Sequence, residues 1–129
     1  MKILAELKFE SIKQHAQEYG TNNEYMISTV EFSIILPDKV IKDLSVDIKQ
    51  TVGDSFEYGA IEVGQPRGLK AKLDYATFRD AVEKYYRMFV GSSAIGMKIE
   101  NGRKVRMKNN TFIHPWKTEI DIDTEAGGW

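Results

Sequence analysis

Only one stretch of this 129-residue chain carries a full set of helix signals, and almost everything else alternates with the period of a strand. Asp74 is placed to accept a backbone N–H as an N-cap. Leu73 and Phe78 stand at the spacing of a hydrophobic staple, and Gly91 suits the left-handed position that ends a helix. Between these ends Phe78, Val82, Tyr85 and Phe89 follow an i, i+4, i+7, i+11 pattern. Tyr75, Ala81 and Met88 widen the stripe, and Tyr86 lies at its margin. A lone amphipathic helix over 74–90 has to bury that stripe against a sheet. The expected fold is therefore α+β: a single domain with a curled, mainly antiparallel sheet of about six or seven strands packed on one long helix.

The strands follow from alternation. Met1 to Phe9 sets Ile3, Ala5, Leu7 and Phe9 against Lys2, Glu6 and Lys8. Ser11 then caps a short helix over 11–19 that carries Ile12, Ala16 and Tyr19 and ends at Gly20. From Glu24 to Leu36, the positions Met26, Val30, Phe32, Ile34 and Leu36 share a face. Val40, Leu44, Val46, Ile48 and Val52 repeat the pattern after Pro37-Asp38-Lys39. A three-residue connection sets Leu36 opposite Val40 and keeps both apolar sets on one side of a hairpin. Phe56 to Val63 reads as a further strand, and the irregular segment Gly64 to Lys72 leads into the helix.

After the helix, Ile95, Met97 and Ile99, then Val105 and Met107, alternate on either side of Asn101-Gly102. A two-residue turn would put the two apolar sets on opposite faces. Parity thus predicts a three-residue loop and gathers Lys98, Lys104, Arg106 and Lys108 on one basic face. His114-Pro115-Trp116 predicts a turn, after which a strand over 117–123 sets Lys108 opposite Asp121 and Arg106 opposite Asp123. That pairing would neutralise part of the basic face. From about residue 124 the chain reads as a flexible tail ending in Gly127-Gly128-Trp129.

Composition narrows the function classes. Cysteine is absent, which removes disulfides, thiolate nucleophiles and thiolate ligands together and suits a reducing, cytoplasmic setting. The apolar run after Lys2 is too short for a signal peptide, and no stretch nears the roughly 20 apolar residues of a membrane span. His15 and His114 lack partners at metal-ligand spacing, and Gly64 to Lys70 lacks the Gly-Lys-Ser/Thr ending of a phosphate-binding loop. Neither a metal, a cofactor nor a catalytic residue set is expected.

Charge is segregated along a nearly neutral chain. Residues 1–63 carry a net −5, residues 64–110 a net +7 and residues 111–129 a net −3. Such a distribution suits a non-catalytic binding module, as in inhibitors, immunity or antitoxin-type proteins and assembly adaptors, with another protein as the expected partner. Glu31, Asp43, Asp47, Glu57 and Glu62 at outward strand positions would steer a basic partner. The alternative partner is nucleic acid. Arg67, Lys70 and Lys72 of the long loop would act with Lys98, Arg103 and Lys104 of the 98–108 hairpin, and Tyr58, Tyr75 and Trp116 would offer stacking faces. A small metal-independent nuclease would add His114 as an acid or base and Arg106 or Lys108 as the phosphate cation. An unpaired edge strand leaves room for a homo-oligomer.

Overall fold

The computed structural model describes residues 2–18, 25–52, 58–68, 72–90, 97–106 and 109–123. Gly91 and the tail from residue 124 lie outside them, as do the side chains of Leu73 and Phe89. The elements are β1 (Lys2–Gln17), β2 (Tyr25–Ile35), β3 (Val40–Val52), β4 (Tyr58–Val63), β5 (Lys72–Leu73), α1 (Tyr75–Val90), β6 (Met97–Glu100), β7 (Arg103–Arg106) and β8 (Asn109–Asp123). Five long strands and the two-residue β5 form one antiparallel sheet in the order β4-β3-β2-β1-β8-β5, while β6 and β7 pair as a separate hairpin. The architecture is α+β with a curled antiparallel sheet and one helix. Among the described residues no helix is long and apolar enough to cross a membrane.

The predicted helix over 11–19 does not form, because β1 runs unbroken for 16 residues. Ala5, Leu7 and Phe9 are buried in its first half and Ile12, Gln14 and Ala16 in its second, so the inward parity switches from odd to even. A β-bulge makes the switch. Phe9 faces Phe32 and Ser11 faces Glu31, which leaves Glu10 as one residue too many against β2. Ile12 and Ala16 suit a helical stripe, and the residue that betrays the strand, Gln14, is polar. It is nevertheless 2 % exposed. Its Nε2 donates to Ser28 Oγ (3.1 Å) and to the Tyr86 hydroxyl (3.3 Å), which in turn donates to Gln50 Oε1 (2.6 Å).

The β2–β3 register that follows from placing Leu36 opposite Val40 holds from Tyr25↔Thr51 to Phe32↔Leu44. It slips by one residue nearer the turn, where Ile34 faces Ile41 and Ile35 faces Val40. The Leu36 N–H closes that turn on the Lys39 carbonyl at 2.8 Å. The slip is a second bulge, in which Lys42 and Asp43 oppose Ser33 and Asp43 takes a left-handed φ of 60°. Ile41 consequently packs against the core, and Val40, expected inside, is 47 % exposed. Both bulges adjoin Phe32.

The turn predicted at His114-Pro115-Trp116 is absent too. β8 passes straight through it and pairs with β1 along its length, Ile122 facing Ile3 and Trp116 facing Phe9. His114 and Pro115 together oppose Glu10, so the proline falls where the ladder is already interrupted and no N–H is missed.

The helix starts where expected. Asp74 Oδ1 accepts the Ala76 N–H (3.2 Å), Asp74 Oδ2 accepts the Thr77 hydroxyl (2.7 Å), and the first helical bond runs from the Phe78 N–H to the Asp74 carbonyl (2.9 Å). Phe78, Val82, Tyr85 and Tyr86 are fully buried, so Tyr86 belongs to the stripe rather than its margin, while Met88 is 46 % exposed. Aromatic rings join helix to sheet. Phe9 stacks on Tyr85 at 4.6 Å and packs against Phe32 at 6.1 Å, and Phe32 meets Phe78 at 5.4 Å. The Tyr75 hydroxyl donates to the Val63 carbonyl, and that of Tyr85 donates to the His114 carbonyl at 2.7 Å.

Replacing Phe78 by Ala should cost about 3–5 kcal/mol in urea unfolding, given its full burial; a cost below about 1 kcal/mol would contradict this packing. Tyr86→Phe should cost about 1–3 kcal/mol, because it strips Gln50 Oε1 of its donor inside the core. Burial, helped by the nearby Glu10 charge, pushes the Tyr85 phenol up to about 12. The folded state holds that proton more tightly than an unfolded tyrosine, which titrates near 10. Its contribution is therefore complete below pH 10 and is lost as pH rises toward 12. Unfolding measured across that range should show the decline, and Tyr85→Phe should flatten it.

Candidate functional site

Of the predicted acidic residues, Glu31, Asp43, Asp47 and Glu62 lie on the face of the sheet turned away from α1. On this outer face the bulges at Glu10 and Asp43 enclose a concavity of ≈300 Å³ lined by Glu10, Thr29, Glu31, Phe32, Asp43, Leu44 and Ser45. Three carboxylates therefore line one groove, where the two bulges locally bend the strands that carry Glu10 and Asp43. Glu10 was missed in the sequence, where it reads as the last residue before a helix. The surplus residue between the odd and even apolar sets was the available signal.

The groove is incompletely neutralised. Glu31, at its rim, pairs with Lys13 at 2.5 Å. Glu10 and Asp43 have no ion-pair partner among the described residues. Elsewhere on the face Lys117 Nζ lies 3.8 Å from Glu6, Glu119 stands opposite Glu6 and Asp121 opposite Leu4 in the β1–β8 ladder, and Lys49, opposite Glu62 in the β3–β4 ladder, sits 4.6 Å from the Tyr25 ring centre. Glu62 is exposed and stands apart from the groove residues. Glu57 lies outside the described residues.

Asp47 and Arg67, expected on two opposing surfaces, bind each other. Arg67 Nη1 donates to Asp47 Oδ2 (2.7 Å) and Nη2 to Oδ1 (2.9 Å), while the Thr29 hydroxyl adds a bond to Oδ1 (2.8 Å). The backbone brings them together. Gly64 N–H donates to the Asp47 carbonyl, and Arg67 exchanges two backbone bonds with Ser45, so the segment after β4 lies along β3. Gly68 completes this approach with a φ of 86°, and a Cβ there would stand 3.2 Å from the Asp43 carbonyl oxygen. The Arg67 contacts, foremost among them the hydrogen bonds, hold the Asp47 carboxyl below the usual carboxylate range.

Of the basic set, only Arg67 is described with its side chain. Lys70 lies outside the described residues, and only the backbone of Lys72, Lys98, Arg103 and Lys104 is described. Asn101 (φ 51°) and Gly102 (φ 75°) form a two-residue turn with Glu100 facing Arg103, in place of the predicted three-residue loop. Lys104 then shares a face with Ile99 and Arg106 with Met97, while Lys98 and Arg103 occupy positions of the other face. The expected single basic face is split. The expected pairings of Lys108 with Asp121 and Arg106 with Asp123 are replaced as well, since β8 lies between β1 and β5 and sets Asp123 between Lys2 and Lys72.

Of the proposed stacking aromatics, Trp116 stacks on Phe9 (5.8 Å) with Lys84 5.7 Å from its ring centre. Tyr75 is half-buried, and the side chain of Tyr58 lies outside the described residues. His114 stacks beside Phe112 on β8. Among the described residues no three His, Asp or Glu side chains are placed to share a metal ion. No protein-family model matches the sequence, and neither the curated proteins nor the solved structures include a match.

Because the folded-state Asp47 carboxyl is depressed, its contribution is present above the ordinary carboxylate pKa near 4 and is lost as pH falls through the lower folded value. Asp47→Asn should therefore flatten the acid limb of the stability curve below about pH 4 in urea unfolding measured across that range.

Proposed function

We propose that the protein is a non-catalytic binding module for another protein, and that the groove of Glu10, Glu31 and Asp43 receives a lysine or arginine side chain of a basic partner. The observation that supports this reading is the concentration of three carboxylates in one concavity, of which only Glu31 has an ion-pair partner among the described residues. Thr29 and Ser45 add hydroxyl groups able to accept further N–H donors. Glu31 reaches Lys13 across the strands, so an incoming cation can displace a surface pair worth little in water. The acidic N-terminal half would attract such a partner at long range. Nucleic-acid binding through the 98–108 hairpin takes second place, because its register distributes the cations over two faces.

The test is capture from the native source on the tagged protein, with nuclease present and at two salt concentrations. One stoichiometric protein, retained after nuclease and released as salt rises, is the expected outcome. Its affinity should fall roughly tenfold or more in Glu10→Lys and in Asp43→Lys. It should hold in Asp80→Lys, which changes net charge equally on the exposed side of α1. Equal loss in all three variants, or binding indifferent to salt, would contradict the assignment of the groove. Retention of nucleic acid alone would favour the hairpin.

A further inference from the structure

Inside the core, opposite in character to the charged outer groove, two carboxamides converge on one phenol. Gln14 and Gln50 are each 2 % exposed, and Ser28 and Tyr86 beside them are fully buried. One polar atom of each amide meets the Tyr86 hydroxyl, Gln14 Nε2 at 3.3 Å and Gln50 Oε1 at 2.6 Å. The other atom of each, Gln14 Oε1 and Gln50 Nε2, has no hydrogen-bond partner among the described residues. Buried polar atoms are rarely left so, because each carries the full cost of leaving water.

We propose that this cluster is an internal water site, in which bound water donates to Gln14 Oε1 and accepts from Gln50 Nε2. The result does not depend on which way the amides face. Exchanging oxygen and nitrogen in both turns the unbonded acceptor into a donor and the unbonded donor into an acceptor. Exchanging them in one leaves two groups of the same kind. Water, with two donors and two acceptor sites, can serve every case, which an ion cannot. The groups that define the cluster are all neutral, so nothing in it compensates a bound charge. Internal waters occur at about one per 27 residues, typically with two to four polar partners, and this cluster supplies that number. The polar ring ties β1, β2, β3 and α1 together through its direct bonds, and the water would complete it.

Water-selective NMR on protein with labelled glutamine side chains tests the site. Cross-relaxation from a long-lived water to the side-chain NH2 groups of both Gln14 and Gln50 is expected. It should vanish at Gln50 in Gln14→Leu if one water bridges the two. Should that variant fail to fold, the wild-type spectrum and a high-resolution crystal structure decide alone. Resolved NH2 signals without water cross-relaxation, or direct bonding of both free atoms to other protein groups in the crystal, would overturn the proposal.

Discussion

The structure depends on one surplus residue. A 16-residue strand can line the inside of a curled sheet only if its apolar positions keep to one face, and the β1 sequence changes parity between Phe9 and Ile12. The bulge at Glu10 absorbs the change. A second bulge, at Lys42-Asp43, does the same for β3, and the two flank Phe32 from either side. Bulges bend strands and increase their twist, so the sheet curls where Phe32 lies. The inner side of that bend holds Phe9, Phe32, Phe78 and Tyr85. Its outer side holds the acidic groove. Core and candidate site are two faces of one distortion.

Electrostatics on the two faces follow different rules. Outside, exposed pairs such as Lys13–Glu31 and Arg67–Asp47 contribute modestly and fix the register of side chains and of the segment after β4, leaving Glu10 and Asp43 without an ion-pair partner among the described residues. Inside, neutral groups do the work of specificity. The Gln14, Ser28, Gln50 and Tyr86 bonds are costly to break and have few alternative geometries, so they favour one alignment of the helix over β1, β2 and β3.

What could be read from the sequence was whatever obeys a fixed period. α1 was legible because cap and stripe agree, and β2–β3 because Met26, Val30, Phe32 and Ile34 alternate against Leu44, Val46 and Ile48. The second half of β1 was not, since an interior glutamine and a bulge together imitate a helical stripe. β8 was misread because Pro115 signals a turn unless it falls within a bulge, as it does with His114 opposite Glu10. The 98–108 hairpin shows the reverse error: the Asn-Gly signal for a two-residue turn was correct, and the demand that all apolar residues share a face was not. At the candidate site, Glu31 and Asp43 were legible as outward acids. Glu10 was not, and the mutual pairing of Asp47 and Arg67 depends on a backbone bridge that no local pattern encodes.

The most direct test is deletion of Glu10, compared with deletion of Thr29 from the regular part of β2, followed by equilibrium urea unfolding. If Glu10 is the surplus residue against β2, its removal leaves Phe9 opposite Phe32 and Ser11 opposite Glu31, His114 and Pro115 remain as a two-residue bulge of β8, and the protein keeps a single cooperative transition. Removal of Thr29 inverts every downstream side chain of its strand and should abolish that transition. Loss of cooperative folding in both deletions would mean that β1 carries no bulge at this position, and the account of the core and of the groove would fall together.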